Sequence, residues 1–306
     1  MRIATFLSFI LIFNWGLNAQ SANVNAGKIE HYLSFQSSFV GPRNIDIWLP
    51  ESYDSTLRYP VLYMQDGKAL FDAAIMWNHQ SWNVDETAQY LISQKQIRPF
   101  ILVAIWNAEK YRHSEYCPQK PFESLDSFTQ QKLYKTKRRD SSIVFNCKVY
   151  ADAYLKFLVT ELKPFVDSHF STLVNRENTS IAGSSMGAMI SLYAVCEYPE
   201  VFGAAACIST HWPVIYTAKD NPFPEAFFKY LNEKLPDPQT HRLYFDHGTA
   251  TLDTLYGQYQ IKVDAIVESK GYRAPKLKSM VFPGAEHNEN AWNKRVWTPL
   301  VFLFKQ

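Results

Sequence analysis

The chain has 306 residues, 47% of them hydrophobic and 20% charged, which is enough apolar material for a large globular core. Its 31 basic and 29 acidic residues leave a formal charge of +2, without the basic excess that nucleic-acid binding requires. The densest basic cluster, Lys135 to Asp140 (KTKRRD), reads as a solvated loop.

Taken from the start, Arg2 precedes an almost unbroken apolar run, Ile3 to Phe13, and the chain then turns polar in GLNAQS. That is the layout of a secretory signal peptide, expected over residues 1–19 with cleavage after Ala19. The run is shorter than the ~20 residues of a membrane span, and no second run of spanning length follows. Residues 20–306 are expected to form one exported domain. Export permits disulfides. Cys117 and Cys147 share an irregular insert, 107–146, and are the pair that a bridge would join. Cys196 and Cys207 lie in apolar segments and are expected as buried thiols. No cysteine pair has zinc-site spacing, so neither a metal nor a cofactor is expected.

Seven strand-like apolar runs follow: Arg43–Pro50, Tyr59–Gly67, Pro99–Trp106, Thr179–Gly183, Gly203–Ser209, Arg242–Gly248 and Leu277–Gly284. They show little alternation, which suggests strands buried on both faces of a parallel sheet. Helical patterns lie between them. In residues 149–170, Tyr154, Leu158, Leu162 and Phe165 make one apolar stripe. A second helical stretch ends at Gly271, a suitable stop. Strands alternating with helices predict an α/β fold, a mostly parallel central sheet with helices on both faces.

The sequence Gly183-Ser184-Ser185-Met186-Gly187 is a G-x-S-x-G motif at a predicted strand-to-helix turn. The motif marks a nucleophile elbow, which presents its central serine, Ser185, at a helix N-terminus. The competing reading is a helix-capping serine between glycines. A nucleophilic serine needs a base and an orienting acid, in the chain order serine, acid, histidine. Of eight histidines, His287 alone sits in a loop after the last strand, before a helix around Trp292. Two aspartates compete for the acid: Asp246 inside the preceding strand and Asp253 in the loop beyond it. The loop position favours Asp253; Glu286 and a Ser–His dyad are the remaining options. An oxyanion hole needs two backbone N–H groups. Met186, after the nucleophile, supplies one, and Lys68, or else Gly67, supplies the other from the QDG loop, where Asp66 reads as a loop-stabilising residue. His211, Trp212, Trp82 and Arg112 are candidate substrate contacts. Phe71, Trp77, Trp106, Tyr111, Tyr116 and Trp292 either join them or fill the core. Arg112 either meets an anionic substrate or makes a salt bridge.

The segments YPVLYMQDGKALFD, IAGSSMGAMISLYA, YFDHGTATLD and PGAEHNENAWNKR resemble the “Putative esterase” (esterase D-like) family of α/β-hydrolases. The resemblance runs from about Arg43 to the end, and IWNAEKYRHSEYCP resembles the family's segment after the fourth strand. That family includes feruloyl and acetylxylan esterases, enterochelin-esterase-like siderophore hydrolases and mycolyltransferases. The resemblance implies an α/β-hydrolase fold and cofactor-free ester or thioester hydrolysis, with Ser185 as nucleophile, His287 as base and Asp253 as acid. Three readings result: a secreted carboxylesterase acting on small or carbohydrate-linked esters, a siderophore trilactone hydrolase, and an acyltransferase or idle binding protein. The second needs basic residues around its pocket.

Overall fold

The computed structural model describes residues 21–138, 140–217 and 219–305, so the signal peptide expected over 1–19 lies outside the described residues. The strands are β1 (Lys28–Phe35), β2 (Arg43–Leu49), β3 (Val61–Gln65), β4 (Ile101–Ile105), β5 (Thr179–Ser184), β6 (Ala204–Ile208), β7 (Arg242–Gly248) and β8 (Leu277–Phe282). They form one sheet in the order β1-β2-β4-β3-β5-β6-β7-β8. β1 pairs antiparallel with β2, as β2 does with β4, and the remaining pairs are parallel.

The runs of β2 to β7 become largely buried strands because each serves two cores, whereas β8 at the sheet edge stays half-exposed. In β4, Ile101, Val103 and Ile105 enter one cluster, while Leu102 and Ala104 enter the other. Helix α1 (Val84–Ser93) and the C-terminal helix cover the second face through Leu91 and Leu303. The first face is covered by the paired segments Ala151–Phe157 and Lys163–His169, by Met186–Glu197, by Phe223–Lys234 and by Gly257–Ser269. Tyr154, Leu158 and Leu162 of the predicted stripe are fully buried there. The helix Met186–Glu197 is apolar on all sides, and all but its last residue is buried.

The insert is more regular than its sequence suggests. It holds α2 (Arg112–Tyr116), α3 (Gln119–Glu123) and α4 (Ser127–Tyr134). Arg43 of β2 anchors α2 through a buried two-pronged ion pair with Glu115, at 2.8 and 2.7 Å. Cys117 and Cys147 are free, so the bridge considered from sequence is not made. Cys117 is sealed in the core, where burial pushes its thiol up, while Cys147 is half-buried. In chain order the later helices are α5 (Ala151–Phe157), α6 (Lys163–His169), α7 (Met186–Glu197), α8 (Phe223–Lys234), α9 (Gly257–Ser269), α10 (Glu289–Asn293) and α11 (Trp297–Phe304).

The parallel strands end on one edge of the sheet. Asp66, Trp106, Ser185 and Ser209 therefore leave β3, β4, β5 and β6 on the same side, where ligands bind in open α/β sheets.

Candidate active site

Ser185 separates β5 from α7 in one residue. Its backbone sits at φ 56 and ψ −121, outside the regions open to ordinary residues, at a cost of about 1–3 kcal/mol. The surroundings hold it there. Its N–H donates to Ile208 at 3.0 Å, and its carbonyl accepts from Met189 at 3.2 Å and from His211 at 3.3 Å. The flanking glycines are required by contact. A Cβ on Gly183 would lie 2.6 Å from the Gly187 carbonyl carbon, and one on Gly187 would lie 3.0 Å from Asp66 Oδ2. A capping serine would need neither the strain nor this crowding, and Ser185 makes no side-chain cap bond.

Asp253 occupies the short turn after β7, not the strand. Its Oδ1 lies 2.5 Å from His287 Nδ1. Its Oδ2 accepts from the Gly248 N–H at 2.5 Å and from the Ser209 hydroxyl at 2.6 Å. Burial opposes the charge, but His287 and these donors outweigh it and hold the carboxyl below its usual range. The His287 backbone N–H donates to Thr251 Oγ1 at 2.8 Å, and Trp292 meets the ring edge-on at 5.0 Å. The other acids stand apart. Asp246 accepts from the Tyr244 hydroxyl at 2.8 Å and from Arg295 at 3.2 Å, and burial pushes its carboxyl up. Glu286 is exposed and accepts from Asn288.

Ser185 and His287 line one cavity of about 770 Å³, within the range of small-molecule sites. Lys68 lines it as well, and Gly67 precedes it in the same turn. Among the described residues, neither the Met186 nor the Lys68 N–H donates to another protein group. Asp66 does hold that loop in shape, as read from sequence. It sits at φ 57 and accepts from Asn107 at 2.7 Å. It also binds Arg112 two-pronged, at 2.6 and 2.7 Å, so the Arg112 charge is taken up inside the protein.

Of the candidate contacts, His211 and Trp82 line the cavity, Trp82 leaning on Trp292 with ring centroids 5.1 Å apart. Trp212 does not. It is fully buried among Phe227, Phe228 and Phe245, and this corrects its assignment as a substrate contact. Following β6 places a residue near the site, but the side chain of Trp212 turns into the core, the default of a large aromatic. Phe71 and Tyr116 are core residues, whereas Trp77 lies at the cavity with 88% of its surface exposed.

Sequence reasoning missed Tyr256, Ser209 and Arg295. Tyr256 is buried, bonds His211 Nδ1 at 2.7 Å and meets the His287 ring at 5.6 Å. Arg295 is buried, donates to Ser209 Oγ at 2.7 Å and stands 3.9 Å from Asp253 Oδ2. Tyr256 follows Asp253 by three positions, the available sequence signal; Arg295 has none. Among the described residues no group of three His, Cys, Asp or Glu could hold a metal ion, and no helix is long and apolar enough to cross a membrane.

The model of the family described as “Putative esterase” matches residues 37–302. The endo-1,4-beta-xylanase/feruloyl esterase of Xylanibacter ruminicola is 24% identical over 298 residues, covering 94% of this chain and 33% of that protein. The chain thus spans a third of the length of this curated relative. A ferulic acid esterase from Anaeromyces mucronatus, solved with ferulic acid, superposes with a TM-score of 0.60 at 18% identity, covering 92% of each chain. The enterobactin esterase of Shigella flexneri superposes with a TM-score of 0.58 at 15% identity, covering 92% of this chain and 60% of that one. At such identities the structures speak for the fold alone. The family match takes in Ser185, Asp253 and His287 together, and the chain belongs to the “Putative esterase” family with the α/β-hydrolase fold.

Proposed function

We propose that the chain is an exported serine hydrolase of carboxylic esters. The observation that carries the reading is His287, bound by the buried Asp253 at 2.5 Å and lining one cavity with a serine held on a strained elbow. With Nδ1 bound to Asp253, His287 has Nε2 left for the Ser185 proton. Ser185 attacks the ester carbonyl as His287 removes that proton. The Met186 and Lys68 N–H groups take the oxyanion at the start of α7, where the helix dipole adds to them. His287 then protonates the leaving alcohol, and water, activated the same way, frees the acyl group.

The cavity size and its aromatic wall support a bulky, aromatic or carbohydrate-linked ester, in line with the activities for which the feruloyl esterase relatives are named. Its charges speak against a siderophore complex. Asp66, Glu109 and Glu289 oppose Lys68 and Arg112, so no basic excess awaits an anion. Export rests on the N-terminal pattern, and sequencing the exported protein checks it: the expected first residue is Gln20. Activity is tested by turnover of acetyl, butyryl and hydroxycinnamoyl esters by the purified chain. A folded protein inert towards all of them, and unlabelled at Ser185 by a fluorophosphonate, contradicts the proposal.

A further inference from the structure

Beyond the groups used above, the cavity holds two imidazoles whose hydrogen-bonding capacity is only half used. His113, on α2, and His211, after β6, are 5% and 1% exposed, and both line the cavity. Their ring centroids lie 6.4 Å apart, and Tyr216 stands 6.1 Å from one and 5.6 Å from the other. The tautomer of His113 follows from its neighbour. Arg138 can only donate, and its Nη2 is 3.1 Å from His113 Nδ1. Nδ1 is therefore the acceptor, and a neutral ring must carry its proton on Nε2. Burial, reinforced by Arg112, His211 and Arg138, keeps His113 well below the usual imidazole range and so neutral. Its Nε2–H is buried with no protein acceptor among the described residues. His211 uses Nδ1 on Tyr256, and its Nε2 is likewise without a partner among the described residues.

Unpartnered buried donors are costly and few in native proteins, and one in a cavity wall calls for a ligand acceptor. The pair offers an anion no positive charge: both rings are neutral, and Arg112, next to His113 in the chain, is bound by Asp66. We propose that His113 and His211 form a subsite for an uncharged oxygen, a hydroxyl or ether, carried by the substrate on the β6 side of Ser185. The proposal rests on the hydrolase reading and adds a selectivity to it. An ester with a methylene in place of that oxygen leaves the His113 donor desolvated and unpaired, so it reacts more slowly.

The test uses ester pairs differing only in oxygen against methylene, or hydroxyl against methyl: methoxyacetate and butyrate, 4-hydroxycinnamate and 4-methylcinnamate, and 2-methoxyethyl and butyl esters. Within each pair the ratio of kcat/KM is compared between the native chain and His113→Phe, which cancels intrinsic reactivity. In at least one pair the native preference for oxygen should exceed that of His113→Phe by about tenfold, the worth of one hydrogen bond. His113→Gln, which keeps a donor, should recover part of the preference. If His113→Phe fails to fold, His113→Gln and Arg138→Met carry the comparison, Arg138→Met lowering the preference by freeing the tautomer. Ratios unchanged within twofold in all three pairs, with turnover still abolished by Ser185→Ala, overturn the subsite. Turnover that survives Ser185→Ala overturns the hydrolase reading beneath it.

Discussion

Asp246 and Asp253 lie seven positions apart and face opposite demands. Asp246 neutralises Arg295 inside the sheet, whereas Asp253 orients His287 at its edge. Asp253→Asn should therefore cut kcat/KM by about 10⁴-fold while leaving urea unfolding little changed, as loss of a triad carboxylate does. Asp246→Asn should do the reverse. It leaves the buried Arg295 only the more distant Asp253, 3.9 Å away, as counter-charge and should cost about 3 kcal/mol of stability, with activity per folded molecule largely kept. Equal effects of the two on turnover would contradict the assignment. The loop position favoured Asp253 in the sequence but left Asp246 open, and it is Asp253 that the fold sets against His287. The supports of the pair were not legible. Nothing in the sequence says that Ser209 and Gly248 would turn their donors onto Asp253, since that depends on how β6 and β7 end side by side. His211 adds a pH effect. Burial, with His287 and Arg112 nearby, pushes it down to about 3, against an ordinary 6.5. Between those values the unfolded chain binds a proton that the folded chain refuses, so stability falls as pH falls from 6.5. At pH 5 this amounts to roughly 2 kcal/mol, by the free energy of a pKa shift. Urea titrations at pH 5 and 7.5 should show a smaller loss for His211→Asn than for the native chain; the loss should not vanish, since His113 is shifted the same way.

The elements nearest the site vary in how well they announce themselves. The seven runs read as strands all became strands; two-sided burial leaves unbroken apolar sequence in β2 to β7, while β8 is an edge strand only partly covered. β1 escaped notice for the complementary reason. As an edge strand whose positions are all half-buried or exposed, its KIEHYLSF mixes polar and apolar residues without a strong signal. The insert was legible as a departure from the α/β pattern but not as three short helices, whose order comes from packing. Glu115 is the clearest case. Its two-pronged bond to Arg43 fixes α2, which carries Arg112 and His113 into the cavity wall. Glu115→Gln leaves Arg43 buried without a counter-charge. It should lower unfolding free energy by about 3–5 kcal/mol and raise KM more than it lowers kcat. A change below about 0.5 kcal/mol, the range of an ordinary surface substitution, would show that α2 is held by apolar contacts instead.

At the scale of the whole molecule, the sheet order brings together residues distant in the sequence. Crossing parallel strands put Asp66, Ser185, Asp253 and His287 on one edge, although 221 positions separate the first from the last. That gathering was readable because the chain order of serine, acid and histidine is itself a fold signature. The cavity's selectivity was not, since it depends on orphaned ring nitrogens that have no sequence mark. The most direct measurement compares hydrolysis of p-nitrophenyl acetate and longer acyl esters by the native chain and by Ser185→Ala. The account predicts turnover by the native chain and background rates from a folded variant. Equal turnover by both would show that Ser185 is not the nucleophile, and the reading of the elbow as an active site would fail.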